Sequence, residues 1–338
     1  MENIKNYTLN ELKLIFSEKS FPKYLYKQVF NWVYKKRIED SLLMTNISRN
    51  HREYLKDNYS FSMPKLIKKE KSIDQTVKFL FELEDKARLE TVLIPNKSRR
   101  TLCVSTQVGC KFACLFCYSG KGGLVRNLTV SEILNQYMAV SDSVCPDKIT
   151  NIVFMGIGEP LDNFDNVIKT IKILIEPNGL YFGRRRISIS TCGLVPEIIE
   201  LAKLNLRVKL SISLHAADDV TRSRLMPVNK IYPLRKVVDA AKEFSRRQKY
   251  PVTFEYLLIK ANTKREDALK LVRLLRGVSY KLNLIPCNCN HGDLKFPDDK
   301  ESNIFISELK KKGIIFTTRR SRGQDINAAC GQLRAIHH

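Results

Sequence analysis

Short apolar segments alternate with amphipathic helical patterns from about residue 100 onward. Seven of these segments have the length and the β-branched content of strands: TLCVST, TNIVFMG, RISIST, RVKLSIS, VTFEYLL, YKLNLIP and GIIFTT. Six helical patterns lie between them, the first opened by a capping box of Thr129 and Glu132. The alternation predicts an α/β fold built on a parallel sheet. It is compatible with an open doubly wound sheet and with a full or partial barrel.

The first ninety residues follow a different pattern, with helices ahead of any strand-like segment. Thr8 and Glu11 form a capping box before LNELKLIFSEK, and further helices are predicted in YLYKQVFNWVYKK and around SLLMTNISRNHREYLKD. TVKFLFELE and RLETVLIP then alternate as a hairpin would, and we interpret the preceding PKLIKKEKS as a basic linker. We predict a small basic accessory domain over residues 1–90, helical and then a hairpin, and the main domain over residues 91–338.

The chain is strongly basic, with a formal net charge of +23 and a pI of about 9.6. A positive field of this size attracts polyanions, and nucleic acid is the commonest of them. The chain starts with the polar segment MENIKNYTLNELK, which is unlike a secretory signal, and its apolar runs are too short to span a bilayer. We therefore expect a cytoplasmic protein that binds nucleic acid.

Four of the nine cysteines lie in the segment CVSTQVGCKFACLFC. In a reducing compartment such cysteines indicate metal ligation or catalysis rather than structural disulfides. Cys110, Cys114 and Cys117 have the spacing C-x3-C-x2-C on a loop after a predicted strand. Three cysteine ligands leave one iron of a 4Fe–4S cube open, which chemistry at a metal requires. The alternatives are a buried cysteine group and a zinc site completed by a remote ligand.

Motifs with polar residues follow four other predicted strands. The carboxyl ends of parallel strands meet at one edge of the sheet, so these motifs are expected to converge on one site. Glu159 suits a ligand ammonium group, and glycines beside it let the backbone approach a ligand closely. The candidate residues in these motifs are Gly156, Gly158, Glu159, Ser190, Ser213, Leu214, His215 and Asn288.

Together these motifs resemble the RlmN/Cfr family of radical S-adenosylmethionine (SAM) RNA methyltransferases, and its RlmN branch more closely. The resemblance runs from about Glu90 to Leu333 and rests on LETVLIP, LCVSTQVGCKFACLFC, RNLTVSEI, FMGIGEPLDN, RRRISISTCGLVP, SISLHAADDVTRSRLMPVNKIYPL, VTFEYLLI, NLIP and RRSRGQDINAACGQL. It implies a partial (β/α)6 barrel with an accessory domain and one 4Fe–4S cluster that binds SAM at its open iron. The implied SAM contacts are Gly158, Glu159, Ser190, Ser213, Leu214, His215 and Asn288.

The resemblance also assigns roles to two cysteines outside the cluster and to one carboxylate. It implies that Cys330 accepts a methyl group from one SAM, and that a radical made from a second SAM removes hydrogen from this S-methyl group. The methylene carbon then adds to the adenine ring. Cys103 helps remove the ring proton, and a transient Cys103–Cys330 disulfide releases the product. Glu90 matches a position assigned as proton acceptor.

The resemblance leaves three hypotheses for the activity. RlmN-like members methylate carbon 2 of adenosine 2503 in 23S rRNA, and some also adenosine 37 of tRNAs. Cfr-like members methylate carbon 8 of the same rRNA base and confer antibiotic resistance. The third hypothesis is a non-enzymatic iron–sulfur protein that binds RNA. Tyr118, Ser119, Cys287 and Cys289 depart from the family pattern near the site, so they bear on the choice of substrate and of ring carbon.

The expected partners follow from the charge and from the resemblance. Arg184, Arg185 and Arg186, then Arg319, Arg320 and Arg322, and the lysines of PKLIKKEKS are the predicted phosphate contacts. The radical chemistry requires an electron donor such as flavodoxin or ferredoxin. We expect a monomer that has no membrane partner.

Overall fold

The N-terminal region is helical, as its capping signals predict. The computed structural model describes residues 1–144, 147–287, 294–295, 297–319 and 321–334. The elements of this region are β1 (Glu2–Asn3), α1 (Leu9–Glu18), α2 (Leu25–Tyr34), α3 (Arg49–Asn58) and β2 (Tyr59–Ser60). The predicted capping box is confirmed: Thr8 accepts from the Glu11 peptide N–H, and the Glu11 carboxylate accepts from that of Thr8.

A buried lysine ties this region to the rest of the protein. The Lys5 ammonium group donates to the Asn135 side chain at 2.9 Å and to the carbonyl oxygens of Phe61 and Ser62 at 3.2 and 3.1 Å. Lys5 is fully buried, and burial lowers the pKa of its ammonium group to about 8. Since three acceptors satisfy its donors, the buried cation fixes the helical region against the segment around Asn135.

Four antiparallel strands continue from the helices into the main sheet. They are β3 (Lys65–Lys71), β4 (Val77–Glu82), β5 (Arg88–Asn96) and β6 (Arg99–Cys103). The interpretation of PKLIKKEKS as a linker is wrong, because most of this segment forms β3. Its lysines hide the strand from sequence analysis, since an edge strand with one neighbour needs no apolar face and lysine discourages pairing with other chains. The predicted domain boundary at residue 90 falls inside β5 and stays a prediction.

The cysteine loop and a parallel strand–helix series follow β6. Its further elements are β7 (Gln107–Gly109), β8 (Leu124–Asn127), α4 (Val130–Ser143), β9 (Asn151–Phe154), α5 (Phe164–Leu174), β10 (Ile187–Thr191), α6 (Val195–Lys203), β11 (Lys209–Ser213), α7 (Asp219–Leu225), α8 (Leu234–Gln248), β12 (Val252–Leu258), α9 (Arg265–Leu274), β13 (Tyr280–Pro286), α10 (Asp299–Lys311) and β14 (Phe316–Thr318). All seven predicted strands and six predicted helices are present. The short helix α7 was not predicted.

The strand order decides between the architectures that the alternation allows. In the described part of the chain, ten strands form one sheet in the order β14-β13-β12-β11-β10-β9-β6-β5-β4-β3, and those from β6 to β14 are parallel. Every crossover therefore moves in the same direction, and right-handed crossovers place their helices on one face. A doubly wound sheet would reverse direction once. The series is a barrel that remains open between β14 and β3.

The barrel collects the carboxyl ends of its strands at one rim. Its strands are apolar where they enter the core, with Ile152, Ile189, Leu210 and Phe254 almost fully buried. Among the described residues, every helix is too short or too polar to cross a bilayer. The residues just beyond the strands are therefore the ones that the fold brings together.

Candidate active site at the carboxyl ends of the strands

A cavity that is open to solvent lies at the rim of the barrel. Most of the predicted site residues line it: Cys110, Cys114, Cys117, Gly158, Glu159, Ser190, Ser213, His215 and Cys330. Leu214 is buried just behind the wall and uses its backbone, its N–H donating to the Glu255 carbonyl oxygen at 3.0 Å. Asn288 and Cys289 lie outside the described residues, whereas Cys287 lies in the cavity wall.

The cysteine loop is shaped by backbone contacts. The Cys110 N–H donates to the Gly123 carbonyl oxygen at 2.8 Å, and the Cys117 N–H to that of Cys114 at 3.0 Å. Gly109 has φ +80°, and a Cβ there would lie 2.0 Å from the Gly123 carbonyl oxygen. Only glycine allows this approach of β7 to the residue before β8. Gly109 therefore fixes the position of Cys110, the residue that follows it.

The three cysteines fit a cluster that takes three protein ligands. They line one cavity, and no disulfide joins any of the described cysteines. The described residues contain no group of His, Cys, Asp and Glu side chains gathered around a single metal ion. A structural zinc site takes four ligands, whereas a cubane with one open iron takes three thiolates, each on its own iron. The donor set of three thiols therefore suits a cubane.

Burial makes the thiols of Cys110 and Cys114 depend on a metal for their ionisation. It raises the pKa of Cys110 to about 12, and it raises the pKa of Cys114 well above its ordinary value, with the other cysteines adding to both shifts. Protonated thiols are poor ligands, so cluster binding must release protons.

Glu159 is a buried carboxylate whose two oxygens are held by backbone donors. Its oxygens accept from the Leu161 N–H at 3.0 Å and from the Cys192 N–H at 2.7 Å, and its own N–H donates to Gln107 at 2.8 Å. Gly158 has φ +99°, and a Cβ there would lie 2.5 Å from the Gln107 side chain. Burial raises the pKa of Glu159, although the backbone hydrogen bonds oppose this shift. A ligand ammonium group would complete the carboxylate's coordination in a pocket of low dielectric.

His215 is neutral, and its tautomer follows from its contacts. Its Nδ1 accepts from the Leu257 N–H at 3.1 Å, so the ring hydrogen lies on Nε2. The residue has φ +57°, and its carbonyl oxygen accepts from Asn262 at 2.8 Å. Burial, with a smaller contribution from Arg222, lowers the pKa of His215 to about 3. Phe116 packs edge-to-face on the imidazole at 4.6 Å, and both rings line the cavity.

Arg222 is a residue of the site that the sequence analysis did not identify. It is fully buried on α7, and its guanidinium donates to the carbonyl oxygens of Cys192 at 2.6 Å, Ser213 at 3.0 Å and Leu214 at 3.2 Å. These carbonyls follow β10 and β11, so one side chain joins the ends of two strands. In the sequence Arg222 lies in HAADDVTRSRLMP, where a charged residue is expected on the solvated face of a helix. This context gave no sign that the side chain is buried.

Glu255 is a second residue of the cavity wall that the sequence analysis missed. Register pairs it with Ser213 on β11 and with Asn283 on β13, and the Asn283 amide donates to its Oε1 at 3.1 Å. The Arg319 guanidinium lies 3.9 Å from the same oxygen. Its Oε2 is buried and has no hydrogen-bond partner among the described residues. A buried acceptor in a cavity wall is suited to a ligand donor.

Cys103 and Cys330 meet in a smaller cavity that adjoins the first. Cys103 ends β6 and is buried, whereas Cys330 is reachable by solvent and lines both cavities. Burial raises the pKa of both thiols, and the nearby Arg319 opposes the shift at each. Cys330 is both reachable by solvent and subject to a raised pKa, because its thiol lies inside a cavity that protein encloses and solvent still enters.

Glu90 lies on β5 and lines neither cavity. Its carboxylate accepts from the Lys78 ammonium group at 3.0 Å and from the Arg334 backbone N–H at 2.9 Å. Lys78 is buried and also lies 3.4 Å from Glu70. The predicted proton acceptor is therefore engaged with other groups in this structure.

The predicted phosphate contacts lie in three separate parts of the structure. Lys65, Lys68, Lys69 and Lys71 are exposed along β3. Arg185 stacks on Tyr250 at 4.2 Å. Arg320 lies outside the described residues, and its neighbours Arg319 and Arg322 line the smaller cavity.

Comparison with known proteins extends this picture over the whole chain. Residues 104–275 match the Radical SAM superfamily, and residues 2–60 match the ribosomal RNA large subunit methyltransferase N-terminal domain. A probable dual-specificity RNA methyltransferase RlmN of Clostridium novyi is 43% identical over 99% of this chain and 98% of its own. The dual-specificity RNA methyltransferase RlmN of Campylobacter lari is 44% identical with the same coverage. The crystal structure of a radical SAM methyltransferase from Sphaerobacter thermophilus superposes with a TM-score of 0.91 at 39% identity over 99% of both chains.

These relatives confirm several predictions at once. The partial (β/α)6 radical SAM barrel with its N-terminal domain is confirmed, and the superfamily uses a 4Fe–4S cluster and SAM. Membership of a methyltransferase family makes the chain an enzyme, which removes the non-enzymatic hypothesis. Since likeness at this identity covers the accessory region as well as the barrel, the chain belongs to the RlmN family of radical SAM methyltransferases.

Proposed function

We propose that this enzyme methylates carbon 2 of an adenine in RNA, namely adenosine 2503 of 23S rRNA and adenosine 37 of tRNAs, through a methyl group carried on Cys330. The names of the curated relatives, dual-specificity RNA methyltransferase RlmN, support a substrate of two RNA classes. The observation that carries the proposal is the meeting of Cys330 and Cys103 in a cavity that adjoins the cysteine loop.

The cavity divides the binding of the two cofactors between its walls. Cys110, Cys114 and Cys117 would hold the cluster. Residues at the strand ends would bind SAM: Gly158, Glu159, Ser190, Ser213, Leu214, His215 and Asn288. When bound, the cluster and SAM together supply a 5′-deoxyadenosyl radical by one-electron reduction. Glu159 would orient the amino group of the ligand, and the His215 Nε2–H offers a neutral donor that adds no charge to a sulfonium site.

Cys330 and Cys103 take complementary roles in this proposal. Carbon 2 of adenine is electron-poor and does not attack a methyl sulfonium, so the methyl group needs a carrier. Cys330 accepts it as a thioether, and the position of its thiol in both cavities lets it face first SAM and then the RNA base. Once the methylene carbon derived from this methyl group has bonded to the ring, the adduct gives up one electron, which the oxidised cluster would accept, and the ring proton, which Cys103 helps to remove. The Cys103 sulfur then bonds to the Cys330 sulfur, the bond from Cys330 to the methylene carbon breaks, and that carbon takes a proton to become the methyl group of the product. A reductant must restore both thiols.

Glu90 is proposed as the acceptor of the ring proton. Its present contacts define what this role requires. The carboxylate would have to exchange the Arg334 N–H for the substrate, while its contact with Lys78 keeps it in place. Movement of the segment that carries Cys330 would make this exchange possible.

Two cysteine variants test the mechanism. Under anaerobic conditions with reconstituted cluster, Cys103→Ala should accumulate a covalent protein–RNA adduct, because the methylene bridge forms and cannot be released. Cys330→Ala should form no adduct and no methylated base. Cys145→Ala removes a thiol that the mechanism does not use and serves as the control that retains methylation. Wild-type behaviour in both Cys103→Ala and Cys330→Ala would rule the mechanism out.

The ring carbon and the RNA are settled by one measurement. Nucleosides from digested rRNA and tRNA of cells with and without the gene should differ by 2-methyladenosine. The appearance of 8-methyladenosine instead would assign the enzyme to the carbon-8 branch.

We also propose that the enzyme acts as a cytoplasmic monomer reduced by a flavodoxin or ferredoxin. Gel filtration would test the oligomeric state, and reduction of the cluster by each protein would test the electron donor.

A further inference from the structure

The segment that carries Cys330 has little regular structure of its own. Residues 321–334 follow β14 and contain a single short 3-10 turn, Gln324–Ile326, among the described residues. Such a segment must be held by contacts with other parts of the chain, because backbone ladders do not fix it. Its contacts therefore show what positions the thiol.

The first contact is with the turn between β3 and β4. The Gly323 N–H donates to Oδ2 of Asp74 at 2.9 Å, and the Arg322 guanidinium donates to the Asp74 carbonyl oxygen at 3.3 Å. Gly323 has φ +65°, and a Cβ there would lie 2.9 Å from the Thr76 side chain. The segment thus meets the turn at a distance that only glycine allows.

The second contact uses an aspartate of the segment itself. Asp325 accepts from the Ser72 hydroxyl at 2.6 Å and from the Ile73 N–H at 3.1 Å. Its two oxygens each take one donor of the turn. Hydrogen bonds from Ser72 and then Ile73 lower the pKa of Asp325, so the carboxylate that makes these bonds is ionised at neutral pH.

The turn is also organised by hydrogen bonds of its own. Ser72 and Thr76 close it with a backbone hydrogen bond of 2.8 Å, and the Thr76 N–H donates to Oδ1 of Asp74 at 2.9 Å. One oxygen of Asp74 therefore serves the turn and the other serves the segment. Burial opposes ionisation of Asp74, but its hydrogen bonds outweigh burial and lower its pKa to about 2. The turn offers a fixed set of donors and acceptors.

The other end of the segment is held beside the cluster loop. The Tyr118 N–H donates to the Gly331 carbonyl oxygen at 2.7 Å, and the Ser119 hydroxyl donates to that of Leu333 at 2.9 Å. Cys330 therefore lies between two attachment points, one on the hairpin and one on the loop of the metal ligands. Tyr118 and Ser119, which depart from the family pattern, are part of the second attachment.

We propose that Asp74 and Asp325 are positioning residues, which hold the Cys330 thiol at the mouth of the cavity by docking residues 321–334 on the β3–β4 turn. This proposal rests on the proposed function for the part that makes Cys330 the methyl carrier. It gives the β3–β4 turn a task in the chemistry that is separate from RNA binding. Neither aspartate lines the cavity where SAM would bind, so their loss is expected to act on the segment that carries Cys330 and not on the strand-end wall.

The test uses full-length, anaerobically reconstituted enzyme. The variants are Asp74→Ala, Asp325→Ala, Ser72→Ala and the double variant that combines Ser72→Ala with Asp325→Ala. Asp57→Ala, at an exposed residue of α3, is the control. Hydrogen exchange over residues 321–334 and alkylation of Cys330 by iodoacetamide report the position of the segment. SAM-dependent methylation of Cys330 and dithionite-driven formation of 5′-deoxyadenosine report the two halves of the reaction.

Loss of either aspartate should raise exchange in the segment and alkylation of Cys330 by about tenfold, as expected when charge-assisted hydrogen bonds are lost. Cys330 methylation should fall about as much, while 5′-deoxyadenosine formation should change less than about twofold. Asp325→Asn keeps one acceptor and should restore part of the effect. Ser72→Ala should add little in the Asp325→Ala background, because the two residues share one bond.

Three results would overturn the proposal. Unchanged exchange over residues 321–334 in both aspartate variants would remove the docking, and increased exchange with normal Cys330 methylation would remove the positioning role. A parallel fall in 5′-deoxyadenosine would also contradict it, because the effect would then reach the SAM site. If wild-type Cys330 is never methylated while exchange still rises in the variants, the proposed function fails and the docking stands.

Discussion

The wall of the cavity and the segment that carries Cys330 are held in place by different means. In the wall, Glu159 and His215 are fixed by backbone groups at the ends of strands, and Arg222 joins two of those ends from inside the core. The segment is attached through a few polar contacts with the β3–β4 turn and the cluster loop. Changes in the wall should therefore affect every step, whereas changes in the segment should affect methyl transfer alone.

The largest effect is expected from the loss of a cluster ligand. Cys117→Ala removes one of three thiolates and leaves two, too few to hold a cubane with one open iron. Formation of 5′-deoxyadenosine and RNA methylation should both fall below detection. Iron content, the visible absorption of the cluster and product formation are the measurements. Cys192→Ala, which removes a buried thiol nearby, should keep its iron.

A large effect on stability is expected from Arg222→Met. The change leaves the carbonyl oxygens of Cys192, Ser213 and Leu214 without their donor, and each buried acceptor costs about 1–3 kcal/mol. We expect the free energy of unfolding to fall by about 4 kcal/mol, with weaker SAM binding in the protein that remains folded. Urea denaturation and equilibrium binding of SAM measure the two effects. A stability within about 1 kcal/mol of wild type would show that the wall does not depend on this residue.

Sequence analysis predicted what local patterns determine and missed what distant contacts determine. The capping boxes at Thr8 and Thr129 and the seven strands were recognised because propensity and periodicity are local. Strand β3 was missed because its lysines conceal an edge strand. Arg222 was missed because its partners come from other elements, and Ser72 meets Asp325 across 253 positions of sequence. A single sequence carries no signal for such pairs.

A moderate effect is expected from the protonation of His215. Its pKa is about 3 in the folded protein against 6.5 for the ordinary side chain, so between these values the unfolded chain binds more protons. Stability should therefore fall as pH falls through this window, by about 2 kcal/mol from pH 6.5 to pH 5.

The variant His215→Asn isolates this contribution. Asparagine tolerates the left-handed backbone and keeps an acceptor for the Leu257 N–H, but it does not titrate. Its free energy of unfolding, measured by urea denaturation at each pH, should change by about 2 kcal/mol less than that of wild type over the same interval. Parallel profiles for the two proteins would show that His215 is not the titrating group.

The smallest effect is expected at the second attachment of the segment. Tyr118→Ala removes the ring over which the Arg334 guanidinium lies at 4.5 Å, and such contacts are worth about 0.5–1 kcal/mol. The backbone bond from residue 118 to Gly331 remains. Alkylation of Cys330 should speed up about two- to fivefold without a change in 5′-deoxyadenosine formation. Tyr181→Ala, at an exposed tyrosine, is the matched control.

The transfer of a methyl group through Cys330 is tested most directly by SAM with a CD3 group. Since hydrogen is removed from the methyl group while it is bound to Cys330, one deuterium should appear in 5′-deoxyadenosine and two in the methyl group of the RNA adenine. Cys330→Ala should transfer no label. A methyl group that keeps all three deuterium atoms, or 5′-deoxyadenosine without deuterium, would contradict the central claim.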